Sequence, residues 1–171
     1  VGKPLHQTPR EVCNTNRAYD LLDLTAIPDN YLPRTNYTQA CDPKEYYSRT
    51  SNVSWESKRK VTDFYRIGYR GMLSQSGERT LTPAILPKGS GHINGVMSVC
   101  YRNTPDLILA QTISASIVGD FYIKTTGSAN LHHKWGELPL LNEAPALIAR
   151  TLALNCLTTH YADLWSECWD D

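Results

Sequence analysis

Arg66 and Arg70 stand four residues apart in "DFYRIGYRGML", and Arg79 follows just beyond "SQSG". On an extended strand side chains alternate faces, so Arg66 and Arg70 share one face and Tyr65 and Tyr69 the other. Guanidinium groups ranked in this way suit a bidentate grip on phosphate or on the edge of guanine. They are equally suited to surface ion pairs with Asp63 and Glu78. Two later loops carry further hydrogen-bonding side chains. Lys88, His92 and Asn94 lie in "PKGSGHING", and Lys124, Thr126, Asn130, His132 and Lys134 lie in "KTTGSANLHHKWG". Such types read bases on DNA-binding loops, and they are also common on any polar loop.

Other chemistries find little support in the residue pattern. A phosphate cradle wants its glycines between a strand and a helix, whereas "PKGSGHING" leads into the apolar run "VMSVCY" of a strand. Gly89, Gly91 and Gly95 are therefore expected to ease a tight connection. Neither a G-x-S-x-G elbow nor a supported Cys and His pair is present. Adjacent histidines on extended backbone point to opposite faces, so His132 and His133 make a poor ligand pair, and no metal is expected. Glu78, Asp106 and Glu137 occupy positions where acids are ordinarily structural.

These candidates need elements to hold them. "DFYRIGYRGML", "RTLTPAILP" and "INGVMSVCY" read as three strands, with Pro83 at an edge or beside a bulge because it donates no ladder hydrogen bond. "TPDLILAQTISASIVGDFY" opens as a helix, with Thr104 as N-cap, Pro105 in the first turn and Gly119 as its stop. "FYIKTTG" reads as a short strand or extended exit. Residues 142 to 169 form one long helix or two packed ones, started by an Asn142 cap and carrying Leu147, Leu154, Leu157, Tyr161, Leu164 and Trp165 on an apolar stripe. Residues 1 to 54 read as a loop-rich lead-in packed on this domain, with short helical pieces such as "NRAYDLLDL". The expectation is an α+β domain over 55–171, with a central, mostly antiparallel sheet, a helix after the third strand and a C-terminal helix or helix pair.

The chain has 171 residues, room for a single core, and seventeen basic side chains balance seventeen acidic ones. Its charge is sorted along the sequence. Between Arg49 and Arg102 nine basic residues face only Glu56, Asp63 and Glu78, while from Glu137 onward Arg150 alone offsets six acids. That sorting allows one positive face for a polyanion. Five scattered cysteines without a C-x-x-C pair point to reduced thiols and a cytoplasmic setting, so the sequons at Asn36 and Asn52 are discounted. No apolar run reaches the length of a membrane span, and no membrane partner is expected. The chain starts at Val1 rather than methionine, which fits a piece of a longer polypeptide.

Taken in order, "FYRIGYRGMLSQSGERTLTPAILPKGSGHINGV", the helix after "TPDLIL", "FYIKTTG", "ELPLL" and "ARTLALNCLTTHYADLW" resemble the C-terminal target-recognition region of type IIG, Eco57I-like restriction-modification and phage-defence adenine-N6 DNA methyltransferases. The likeness runs from about Trp55 to Trp165. Such enzymes act through a tetrapeptide of Asn, Asp or Ser, two prolines and an aromatic residue, with a glycine-bearing motif for S-adenosylmethionine. This chain has neither, since "NTPD" at Asn103 lacks the second proline and the aromatic. The resemblance therefore implies no methyl transfer and no cofactor in this fragment, with S-adenosylmethionine held by the parent protein. What it does imply is sequence-specific recognition of double-stranded DNA beside the parent's catalytic methyltransferase domain, which extracts the base. Arg66, Arg70 and Arg79 would meet phosphates or bases, with Lys88, His92 and Asn94 near DNA. Alternatively "ERTL" is scaffold, with Glu78 and Arg79 paired internally, and "SANLHHKWG" and the lead-in read the bases. Two rival readings stay open: a structural or subunit-docking domain whose apolar face over 146–165 meets the parent, and a small hydrolase using His92 or His132.

Overall fold

A computed structural model of the chain describes residues 7–9, 15, 18–23, 25–32, 37, 39–142 and 145–169. Cys13 and the sequon at Asn36 lie outside these residues, as do positions 143 and 144 at the approach to the penultimate helix. The fold is α+β, and its central sheet is antiparallel with strand order β6-β5-β7.

The lead-in supplies a small antiparallel pair, β1 (Gln7–Pro9) and β2 (Tyr19–Leu21), followed by helix α1 (Pro43–Arg49). Within "NRAYDLLDL", Tyr19–Leu21 is thus a strand rather than a helix, because its backbone pairs with β1, while residues 16, 17 and 24 lie outside the described residues. Helix α1 begins where local chemistry directs it. Asp42 accepts from the Lys44 and Glu45 amides at 2.8 and 3.0 Å, and Pro43 opens the first turn. A short hairpin, β3 (Asn52–Val53) and β4 (Glu56–Lys60), then leads into the sheet. The lead-in also reaches the far end of the chain, since the Thr159 amide donates to the Asp29 carbonyl at 2.7 Å.

Strand β5 (Arg66–Arg70) lies between β6 (Pro83–Leu86) and β7 (Val96–Cys100). Pro83 sits on the edge strand β6, opposite Tyr69, where its missing N–H costs no ladder bond. Tyr65, Ile67 and Tyr69 point from one face of β5 into the core. That core has two clusters. Tyr65, Ile67 and Ile85 pack with Leu107, Ile108, Ile148, Leu152, Cys156, Tyr161 and Leu164, while Tyr69 packs with Leu81, Ile123 and Leu131. Trp135 touches both, stacking on Tyr69 at 4.5 Å between ring centroids and donating to the Tyr101 hydroxyl at 3.1 Å.

Helix α2 (Thr104–Ala115) follows β7, with Asn103 rather than Thr104 at the N-cap. It does not run on to Gly119. Ser116 interrupts it, donating to the Ile113 carbonyl at 2.7 Å and accepting from the Gly119 amide at 2.9 Å. The chain turns by 66° and resumes as helix α3 (Ile117–Thr125), so "FYIKTTG" is mostly helical rather than extended and Gly119 lies within a helix. A 3-10 turn (His132–Glu137) follows. The C-terminal part is a pair, α4 (Pro145–Asn155) and α5 (Ala162–Cys168). Helix α4 buries Ile148, Thr151 and Leu152, while Leu154 is 77% exposed and Leu157 60% exposed, so the apolar stripe is phased differently from the sequence-based expectation. Tyr161 and Leu164 are buried as that stripe requires. Among the described residues no single helix is long and apolar enough to cross a membrane, and Cys41, Cys100, Cys156 and Cys168 are free thiols.

Candidate functional site

Three connections meet beyond the end of β5. The Gly71 amide donates to the Gly95 carbonyl at 3.3 Å, the Leu73 amide to Ala129 at 2.8 Å and the Leu131 amide to Gly71 at 2.9 Å. Met72 and Asn130 form a β-bridge, and the Gln75 side chain donates to the Ser128 carbonyl at 2.7 Å. These bonds lace the β5–β6 connection, the loop before β7 and the loop after α3 into one rim. Backbone groups that a loop would otherwise expose are satisfied by each other, which holds the side chains on it in place.

Four of the ten candidate residues lie on that rim. Arg70 closes β5 opposite Val96 and is half-buried; Asn94, Asn130 and His132 are exposed. None of the four side chains has a hydrogen bond or ion pair among the described residues. His132 holds a positive φ of 25°, a backbone state that side-chain-bearing residues adopt rarely.

The other six are engaged elsewhere. Arg79 does not pair with Glu78. Its Nε lies 3.4 Å from Asp120 and its Nη2 donates to the Ala115 carbonyl at 2.9 Å, capping the end of α2. Lys124 donates to the Gly77 carbonyl at 3.0 Å, Lys134 pairs with Glu137 at 2.8 Å, and Lys88 pairs with Asp163 at 3.1 Å while lying over the Tyr65 ring. Of these, Lys88 and Lys134 keep surface ion pairs that release at little cost, whereas Arg79 and Lys124 clamp the turn before β6. His92 is exposed, with Nε2 2.8 Å from the Ser98 hydroxyl and Nδ1 3.2 Å from the Ile93 carbonyl. Arg66 departs furthest from expectation. It shares a sheet face with Arg70 by alternation, but it is only 2% exposed and donates to Ser98 at 3.2 Å and to the Ser90 carbonyl. A side chain so covered does not reach the backbone of a duplex lying on the surface. Burial also draws its pKa below the ordinary guanidinium value, although an arginine stays protonated through the physiological range.

Asp120 anchors the rim from below. Its buried carboxylate accepts from the Thr80 and Leu81 amides at 2.8 and 2.6 Å. Sequence reasoning passed over it because its partners lie forty positions away. It also missed the outer face of α3, where Ile117, Val118, Phe121 and Tyr122 are all exposed, since "FYIKTTG" did not read as helix. No protein-family model, curated protein or solved structure matches this chain.

Proposed function

We propose that this chain is a recognition module for double-stranded DNA, working as part of a larger adenine-N6 DNA methyltransferase or restriction-modification enzyme of the cytoplasm. The observation that carries the reading is the rim: three hydrogen-bonded loops that bear an arginine, two asparagines and a histidine whose side chains have no partners among the described residues. Asparagine amides match the donor and acceptor pair of adenine in the major groove, and arginine matches guanine, so these are the types a base-reading edge requires. Lys88 and Lys134, in exchangeable surface pairs, supply phosphate contacts that set register without reading sequence. Arg79 and Lys124 act as supports, and Arg66 is not part of this surface. The methyl transfer itself, with its S-adenosylmethionine, belongs to the parent's catalytic domain.

The test is selection from a pool of duplexes with a randomised core, followed by titration of the enriched sequence across a salt series. Log affinity should fall with log salt by about 0.9 per phosphate contact. Arg70→Ala and Asn130→Ala should erase preference for the enriched over a scrambled duplex, each by roughly 1–3 kcal/mol, while Lys134→Ala should weaken both equally. A pool that yields no enriched sequence, or discrimination untouched by all rim variants, refutes the assignment.

A second reading concerns the same molecule from another side. Four exposed apolar side chains on α3 form an uncovered patch of the kind that meets a protein surface, which favours α3 as the contact with the catalytic domain. On this second reading the docking face is α3 rather than 146–165.

A further inference from the structure

Among the described residues, the buried cation at the start of β5 has no counter-charge. Arg66 bonds only to neutral groups, the Ser98 hydroxyl and the Ser90 carbonyl, and its Nε is buried with no partner. Among the described residues no carboxylate pairs with it. A guanidinium withdrawn from water is sustained by an anion or by complete hydrogen bonding, and here both are incomplete.

The same guanidinium lines a cleft of about 380 Å³ between α1 and the loop before β7. Thr62 also lines the cleft and has a buried hydroxyl that is likewise unpartnered. Tyr46, Arg49, Thr50, Ser51 and His92 add to the polar lining, and among the described residues no acid lines it. Arg49 stands at the mouth, largely exposed and held to Glu45 at 2.5 Å. His92, Ser98 and Arg66 form a hydrogen-bonded chain, because the Ser98 hydroxyl accepts from Arg66 Nη1 and meets His92 Nε2. Gly91 lies against the Tyr46 hydroxyl, which would have to shift to admit a Cβ there.

We propose that this cleft is a phosphate-binding site, in which Arg66 Nε and the Thr62 hydroxyl donate to the anion and Arg49 closes over it. The cleft volume exceeds a bare phosphate, leaving space for the group that the phosphate is attached to. Arg66 lies roughly 13 Å along β5 from Arg70, and the loop before β7 borders both the cleft and the rim. The recognised chemistry is a phosphate oxyanion carried by a small phosphomonoester, since a duplex lying on the surface does not reach Arg66.

Inorganic phosphate, titrated against the whole chain by calorimetry at constant ionic strength with chloride as reference, tests the site. Saturable binding is expected, with a rise in Tm that chloride does not produce. Arg66→Met should abolish that binding while leaving or raising the phosphate-free Tm, because an apolar side chain replaces an unpaired buried charge. Thr62→Val and Arg49→Gln, which keep Arg66, should each weaken phosphate by about tenfold, and they serve if Arg66→Met does not fold. Arg70→Ala should bind phosphate normally, which separates this site from the rim. A duplex that binds alongside phosphate is the expected result; a duplex that displaces phosphate overturns the assignment to a small phosphomonoester. No saturable binding by the unaltered chain, or equal binding by Thr62→Val and Arg49→Gln, overturns the proposal.

Discussion

Replacing Asp120 with alanine should be among the most damaging single changes to this fold, and the structure gives the size. The carboxylate is 6% exposed and accepts from two amides, Thr80 at 2.8 Å and Leu81 at 2.6 Å. Thr80 and Leu81 are themselves buried, so neither amide gains water when the acceptor is lost. Hydrogen bonds to a charged group contribute about 1.5–3 kcal/mol each, and an orphaned buried donor costs a similar amount, so Asp120→Ala should cost roughly 3–5 kcal/mol. The Arg79 contribution is much smaller. Its guanidinium is 3.4 Å from the carboxylate and 39% exposed, a geometry worth below about 1 kcal/mol after solvent screening. Asp120→Asn keeps a side-chain oxygen able to accept and should cost roughly half as much as Asp120→Ala. Urea unfolding followed by circular dichroism measures all three, and the double variant with Arg79→Ala gives the coupling between the two residues. If Asp120→Ala costs under about 1 kcal/mol, or no more than Arg79→Ala alone, the claim that the two amides dominate fails.

The phase of α4 can be checked with two leucines. Leu152→Ala, at a fully buried position, should destabilise by about 2–5 kcal/mol, whereas Leu154→Ala, 77% exposed, should stay within about 0.5 kcal/mol of the parent. Reversal of that order in urea unfolding would return α4 to the stripe read from spacing. Burial pushes the Cys156 thiol up to about 12, with the neighbouring Cys168 adding to the effect. A raised thiol pKa means the unfolded chain ionises first. The stability it contributes is therefore intact below pH of about 9 and is lost progressively toward pH 12, by about 4 kcal/mol in all. Cys156→Ala should flatten that part of the stability profile, and an unchanged slope would remove Cys156 as its source.

Much of the sheet was legible because its signals are local. Alternation around Tyr65, Ile67 and Tyr69 marks β5, and Pro83 marks an edge. The helix after β7 announces itself through Asn103, Thr104 and Pro105. What escaped were elements decided by distant contacts. β-branched and aromatic residues in "FYIKTTG" favour a strand, but Ser116 restarts the helix and Asp120 and Ile123 find buried partners on its inner side. Tyr19–Leu21 became a strand only by meeting Gln7–Pro9. Arg66 and Arg70 are indistinguishable in sequence, yet α1 and the loop before β7 wall in the first of them, and no spacing rule foretells that enclosure. Arg70, Asn94, Asn130 and His132 were found as types, while their convergence depends on bonds between residues 71–75 and 128–131.

Helix α3 works on both its sides. Inward, Asp120 and Lys124 grasp the turn that carries Gly77, Thr80 and Leu81; outward, Ile117, Val118, Phe121 and Tyr122 meet solvent. A helix is only about 10 Å across, so a body resting on the outer side sits one helical thickness from that turn. Any tilt it imposes is carried to the loops by a rigid rod rather than by a chain of soft side chains. Under the proposed function, attachment and reading would be joined through a single element, and a nudge of that rod would re-aim the loops without any change in the residues they carry.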